Sequence, residues 1–271
     1  MSYLNLFKDK RVIVTGHTGF KGSWLISWLK LLGSEVVGIS DGIPTSPSNF
    51  EISSMKSFIK NYKVDIRDVE KIKKIISSFK PNFIFHLAAQ ALVKKSYKDQ
   101  LETLSTNAIG SASLLESLLN YRDKLVVIMI TSDKVYDNKE WLWGYRENDE
   151  LGGHDPYSVS KTMAELAIKS YIESSFTKKN TNIRIGIGRA GNVIGGGDWA
   201  EDRIVPDCVK SWSKNKIVLL RNPQSTRPWQ HVLESLWGYL LLSQKLEKNK
   251  KLHGEAFNFG PDNKSSHDVY S

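Results

Sequence analysis

The feature that most constrains this chain is a cadence. Short runs rich in β-branched residues at 11–15, 35–39, 82–87, 124–131 and 182–187 alternate with helical patterns over the first 190 residues. Val69, Ile72, Ile75, Ile76 and Phe79 recur at spacings of three and four, which predicts one apolar helical face. Leu101, Leu104, Ala108, Leu115 and Leu118 predict a longer helix over 100–120, and a further helix is expected over 157–176. Strand, helix, strand at this rhythm predicts an α/β fold with a doubly wound parallel sheet. Right-handed crossovers then put ligands at the carboxyl ends of the strands. After Gly191 the pattern changes: Gly195-Gly196-Gly197 forms a loop, and Pro206, Pro223 and Pro228 break up short segments. A helix is expected over 231–245 and a strand over 255–259. Two domains are therefore expected, a Rossmann-like cofactor-binding domain over 1–190 and a smaller substrate-binding appendage over 191–271. Ser265-Ser266-His267-Asp268-Val269 reads as the start of a helix whose body is missing, so the appendage is expected to be incomplete at its C-terminus.

Gly16-His17-Thr18-Gly19-Phe20-Lys21-Gly22 follows the first run and opens a helix. Glycines there let the backbone turn tightly and approach a pyrophosphate seated on the helix N-terminus. Asp41 lies 19 residues beyond Gly22, at the end of the second run, where an acid binds the ribose hydroxyls of NAD. A plain turn at Asp41-Gly42 is the alternative, and Lys21 leaves the choice between NAD and NADP open. Asp65 and Ile66 follow a third short strand and could grip an adenine. Ala88-Ala89-Gln90 ends the next with small residues, so that a dinucleotide can lie close to the backbone.

Tyr157 and Lys161 are four residues apart at the start of a helix, one above the other on one face. A lysine ammonium beside a phenol favours the phenolate, so Tyr157 is a candidate base. Thr131-Ser132-Asp133 ends the run before it, placing a hydroxyl where a substrate hydroxyl could bind.

Composition excludes several classes. The 271 residues are 40% hydrophobic and 25% charged, which is globular and not disordered. The longest apolar run, Leu125–Ile130, is far short of the ~20 residues that span a bilayer. One cysteine, Cys208, permits no internal disulfide and no cysteine-rich zinc site, and a reducing, cytoplasmic setting is expected. The net charge of +9 rests mostly on scattered lysines, 29 against 9 arginines, with no aromatic-basic cluster of the kind that binds nucleic acid.

The glycine loop with Ser132, Tyr157 and Lys161 resembles the Ser/Thr–Tyr–Lys site of the extended short-chain dehydrogenase/reductase superfamily, which includes the NAD-dependent epimerases and dehydratases. Asp133 resembles the 4,6-dehydratases, although dTDP- and GDP-sugar members carry Asp-Glu where this chain has Asp133-Lys134. The strings Gly16-His17-Thr18-Gly19-Phe20-Lys21-Gly22-Ser23-Trp24, Thr131-Ser132-Asp133-Lys134-Val135-Tyr136, Trp143-Gly144-Tyr145-Arg146-Glu147, Gly191-Asn192-Val193-Ile194-Gly195-Gly196-Gly197-Asp198-Trp199 and Arg227-Pro228-Trp229-Gln230-His231-Val232 are similar to the dehydratases that act on CDP-glucose.

The resemblance implies that Tyr157, with Lys161 beside it, takes the C4 hydroxyl proton while hydride leaves for NAD. Ser132, with Thr131 as its alternate, would polarise the C4 oxygen. Asp133 would protonate the leaving C6 hydroxyl and Lys134 would remove the C5 proton. It further implies that Asn107 supports the proton relay, a structural hydrogen bond being the alternative. Asn192, Arg203, Arg221 and Arg227 are implied to hold the nucleotide diphosphate, since guanidinium forks suit phosphates. His231 and Trp229 are expected to pack. Trp141 and Trp143 could line a sugar pocket or pack. A homodimer through the helices at 100–120 and 157–176 is expected, with a place in surface-polysaccharide synthesis. The alternatives are a nucleotide-sugar epimerase or reductase, and an inactive NAD-binding fragment.

Overall fold

In the computed structural model the described residues are 4–177, 182–220, 222–261 and 267–270. The strands are β1 Arg11–Thr15, β2 Glu35–Ser40, β3 Lys60–Lys63, β4 Phe83–His86, β5 Leu125–Ile130, β6 Ile183–Ala190, β7 Val193–Ile194, β8 Thr226–Arg227, β9 Gln230–His231, β10 Ala256–Phe259 and β11 His267–Asp268. The helices are α1 Phe20–Leu31, α2 Asn49–Ile52, α3 Val69–Phe79, α4 Val93–Lys98, α5 Gln100–Leu104, α6 Gly110–Glu116, α7 Pro156–Ser174, α8 Ile204–Trp212 and α9 Val232–Lys248. Seven strands form one parallel sheet in the order β10-β6-β5-β4-β1-β2-β3. The order reverses between β1 and β4, which opens a crevice at their carboxyl ends.

β4 and β5 are buried along their whole length, because helices cover both faces. One core holds Leu25, Ile26 and Leu29 of α1 with Leu236, Tyr239 and Leu240 of α9. The other holds Ile72, Ile75 and Ile76 of α3, Leu114 and Leu115 of α6, and Ile168 and Ile172 of α7. Each fully buried Leu or Ile contributes roughly 1.5–3 kcal/mol, so the two cores fix the strand ends that carry the site. α9 and β10 return to the main sheet: Gly238 of α9 leaves no room for a Cβ against the Phe259 ring, and β10 pairs with β6. Residues after 191 are thus shared between the sheet and the smaller pieces β7–β9, α8 and β11.

Three local expectations differ from the structure. The helix over 100–120 is interrupted by a π-helical turn, Ser105–Ile109. Such a turn inserts one extra residue and rotates what precedes it, so Leu101 is 81% exposed and Thr103 is buried instead. Pro206 does not break a segment; it sits in the first turn of α8, where its missing N–H is harmless. His267–Asp268 does not open a helix but pairs antiparallel with β8, and residues 265 and 266 lie outside the described residues.

Candidate active site

The glycine loop joins β1 to α1. Gly16 has φ +68°, and a Cβ there would stand 2.7 Å from the Ala88 backbone nitrogen, so the end of β4 approaches only a glycine. A Cβ on Gly22 would stand 2.2 Å from the Gly16 carbonyl oxygen. Gly19 caps α1 without a side chain, leaving the first-turn amides of Phe20, Lys21 and Gly22 to face an anion. This cradle fits a dinucleotide pyrophosphate. The Thr18 hydroxyl donates to the Gly42 carbonyl at 2.6 Å and lies 2.8 Å from Ser40 Oγ, tying the end of β2 to the loop. Asp41 stands exposed beside it.

Several expected cofactor contacts are placed differently. The His17 ring is buried edge-on against Phe50 and over Gly38, so only its backbone belongs to the loop. Burial lowers its pKa. Lys21 turns away from Asp41 and reaches Tyr239 OH at 3.4 Å, so it does not bear on a ribose phosphate. Ile66 is buried against Gly110 and packs α6. Asp65 chelates the Arg67 guanidinium, which also binds Glu102. Ala88 and Ala89 are half-buried at the end of β4. Gln90 is held by Asn107, whose side chain accepts from the Gln90 amide at 2.8 Å and donates to its carbonyl at 3.0 Å. Asn107 also donates to Ser160 Oγ at 2.7 Å, and Ser160 donates to the Tyr157 carbonyl. It is thus a structural clamp between the crevice and the Tyr157 helix, carried on the π turn.

Asp155 caps α7 through the Tyr157 and Ser158 amides, and Pro156 occupies the first helical position, which fixes Tyr157 at the helix entrance. Burial pushes the Tyr157 phenol up to about 12, against a hydrogen bond with Ser132 that pulls it down. Burial also pushes Lys161 down to about 8. Both groups are held toward their neutral forms, so burial outweighs the phenolate-favouring pairing that the sequence suggests.

β5 ends at Ile130, Thr131 follows, and Ser132 then caps a single turn, Asp133–Val135, with its hydroxyl accepting from the Lys134 amide at 3.2 Å. Ser132 Oγ donates to Asp133 Oδ1 at 2.9 Å. A Cβ on Gly191 would stand 3.2 Å from Asp133 Oδ2, so that glycine leaves room for the carboxylate. Lys134 is half-buried and forms no ion pair among the described residues. Thr131 does not serve as an alternate to Ser132: its hydroxyl donates to buried Glu165 at 3.1 Å.

Asp133, Arg203 and Lys161 lie close enough to Lys21 for their charges to shift it, and Tyr239 feels Tyr157 and Asp133. Lys21 falls to about 8, chiefly by burial, with Asp133 raising it and Arg203 and Lys161 lowering it. Tyr157 feels both Asp133 and Arg203. Arg203 also pairs with Asp198 at 2.8 Å. Arg227 on β8 forms no ion pair among the described residues. Asn192 accepts from the Gln230 amide through its carbonyl. Arg221 lies outside the described residues. His231 is exposed; its Nδ1 caps α9 and its ring lies edge-on to Trp24. Tyr136, Tyr145, Trp141 and Trp143 form a ladder of adjacent rings beginning at the Asp133–Val135 turn. Sequence reading placed Lys21 with the cofactor loop and not beside Asp133, and it missed Tyr239 and the Glu165–Arg189 pair.

A profile of the NAD dependent epimerase/dehydratase family matches residues 12–260. The chain belongs to that family. It is 50% identical over 261 residues to the CDP-glucose 4,6-dehydratase of Salmonella typhimurium, covering 95% of this chain and 72% of that protein. Within the family it therefore groups with the nucleotide-sugar 4,6-dehydratases, which are NAD-dependent hydro-lyases. Two solved structures share the fold. DesIV, the dTDP-glucose 4,6-dehydratase of Streptomyces venezuelae with NAD and TYD bound, superposes with a TM-score of 0.79 at 21% identity, over 92% of this chain and 75% of its own. UDP-glucose 4-epimerase of Thermotoga maritima gives 0.81 at 23% identity, over 96% and 79%. Among the described residues no helix is long and apolar enough to cross a membrane, and no group of His, Cys, Asp or Glu is arranged to hold a metal ion.

Proposed function

We propose that this chain dehydrates CDP-glucose to CDP-4-keto-6-deoxyglucose. The observation that carries this reading is the adjacent Asp133 and Lys134 on one turn beside Tyr157 and Ser132. A 4-epimerase needs only the tyrosine and its neighbours, whereas elimination across C5 and C6 needs an additional acid and base. The 50% identity to a CDP-glucose 4,6-dehydratase supports the cytidine nucleotide.

Gly16, Gly19, Gly22 and the first amides of α1 hold the cofactor pyrophosphate, and Asp41 takes the ribose hydroxyls. Bound NAD supplies the acceptor for hydride from C4 and its return to C6. Ser132 hydrogen-bonds the C4 oxygen and pulls the Tyr157 phenol down, and Tyr157 takes the C4 hydroxyl proton, with Lys161 one helical turn along α7. The resulting ketone acidifies the C5 proton, which Lys134 removes. Asp133 protonates the C6 hydroxyl, which leaves as water. Arg203, Arg227 and Asn192 orient the diphosphate.

Exposed Leu101 on α5, Ile109 on the π turn, and Met163 and Leu166 on α7 support a homodimer built on those helices. The single cysteine supports a cytoplasmic setting. The test is mass spectrometry of CDP-glucose incubated with the chain and NAD, beside dTDP-, UDP- and GDP-sugars. Loss of one water from the CDP-sugar is expected; no loss from any of them overturns the reading.

A further inference from the structure

Glu165 and Arg189 are fully buried and paired, through two contacts between guanidinium and carboxylate. Burial works against the arginine charge, and Glu165 and Tyr136 together more than restore it. A buried pair of this kind returns little net stability, because both ions lose their water. What distinguishes this one is its position. Tyr157, Lys161 and Glu165 follow at four-residue intervals on α7, so Glu165 extends the catalytic face into the core. The pair then reaches both ends of the turn that carries Ser132, Asp133 and Lys134.

At one end Glu165 Oε2 accepts from Thr131 Oγ1 at 3.1 Å, just before Ser132. At the other, Arg189 Nη1 donates to Tyr136 OH at 2.5 Å and lies over its ring at 4.8 Å. Tyr136 passes the bond on to Asn258 of β10 at 2.7 Å, and Arg189 also donates to the Glu147 carbonyl at 3.0 Å. Thr162 of α7 adds a bond to the Val135 carbonyl at 3.1 Å. Lys169, half-exposed, is the other cation facing Glu165, at 3.3 Å.

We propose that the Glu165–Arg189 pair, acting through Thr131 and Tyr136, is a positioning unit for the elimination step. It holds the Asp133-Lys134 turn at a fixed setting against the Tyr157-Lys161 helix, so that acid and base meet C6 and C5 of a sugar whose C4 is already on Tyr157. This rests on the reading above, in which oxidation belongs to Tyr157 and elimination to Asp133 and Lys134. Loosening the turn should therefore slow elimination more than oxidation.

The test uses Tyr136→Phe and Thr131→Val, which each free one end of the turn and leave the ion pair intact, beside Glu165→Gln. Steady-state kinetics with CDP-glucose should show kcat lower by about tenfold in each single-bond variant, the scale of one lost bond to a charged group, with KM within about twofold. Reduced-nicotinamide absorbance should build up during turnover, because oxidation outruns elimination. Amide hydrogen exchange over 132–136 should quicken while α7 keeps its protection. Wild-type kcat in both variants, or a loss of kcat with no build-up of reduced nicotinamide, overturns the proposal. Should Glu165→Gln fail to fold, the other two variants decide. If the wild type dehydrates no sugar nucleotide, the functional reading falls. The exchange rates over 132–136 then decide alone whether the pair holds the turn: quickening supports it and no change overturns it.

Discussion

Two groups of buried charges meet along α7, with Lys161 and Glu165 about one helical turn apart, and they are treated in opposite ways. Glu165 meets Arg189, Lys169 and the Thr131 hydroxyl, so its charge is matched and its hydrogen bonds are filled. Lys161 is buried and Lys21 half-buried, neither has a carboxylate in bonding contact among the described residues, and burial pulls both down to about 8. Tyr157 beside them is pushed up to about 12. The matched group resists change and suits a scaffold. Within the unmatched group the two lysines can gain or lose a proton near neutral pH, which suits chemistry. The same low dielectric produces both outcomes, and the partners decide which.

The largest expected effect is on the matched side. Arg189→Met strands Glu165 and should cost about 3–5 kcal/mol in denaturant unfolding, whereas Glu165→Met/Arg189→Met should recover most of that loss. A single variant that unfolds like the wild type would erase the contrast. Next comes the unmatched side: Tyr157→Phe should lower kcat by on the order of 10³ with the melting temperature unchanged, since the phenol is the base and not a support. An activity loss accompanied by unfolding would place Tyr157 with the scaffold.

Much of the fold was legible because its signals are local. The strands and the glycine loop are short patterns in which each residue sees its own neighbours, and the expected runs fall within three residues of β1, β2, β4, β5 and β6. Tyr157 and Lys161 were legible for the same reason. Glu165 and Arg189 were not, because a charged residue reads as solvated surface until a partner from another element is known. One signal was available: Glu165 repeats the four-residue step from Tyr157 and Lys161, so it must share their inward face. The π turn at Ser105–Ile109 was invisible because a 3.6-residue period fits either side of it, and the misplacement of Leu101 follows from that one inserted residue.

Lys161→Met sharpens the comparison further. A lysine with a folded pKa near 8 and an ordinary value of 10.5 holds fewer protons folded than unfolded between those values, so stability rises with pH across that window. Below about 8 the ammonium is present in both states and its full burial penalty, on the order of 3 kcal/mol, remains. The methionine variant should therefore melt higher than the wild type at pH 7, and the gap should close as pH rises toward 10.5, while kcat falls. A gap that widens with pH would reverse the assignment of Lys161 as an unmatched charge.

The smallest expected effect belongs to a third set of charges, which is neither enclosed nor unmatched. Asp65, Arg67 and Glu102 form a network at the mouth of the crevice, with side chains 42%, 30% and 54% exposed. Asp65 is held below the usual carboxylate range by the hydrogen bonds from Arg67. Its contribution is present above the ordinary carboxylate pKa and is lost as pH falls through the lowered value. Water screens these charges, so Asp65→Ala should change stability by no more than about 1 kcal/mol at neutral pH. The same variant also separates two duties. A carboxylate that already chelates a guanidinium keeps lone pairs free for an adenine amino group. NAD affinity measured by calorimetry should then weaken about fivefold, the scale of one exposed hydrogen bond. An unchanged NAD affinity would leave Asp65 with Arg67 as its whole task and assign the adenine end of the crevice to apolar contact alone.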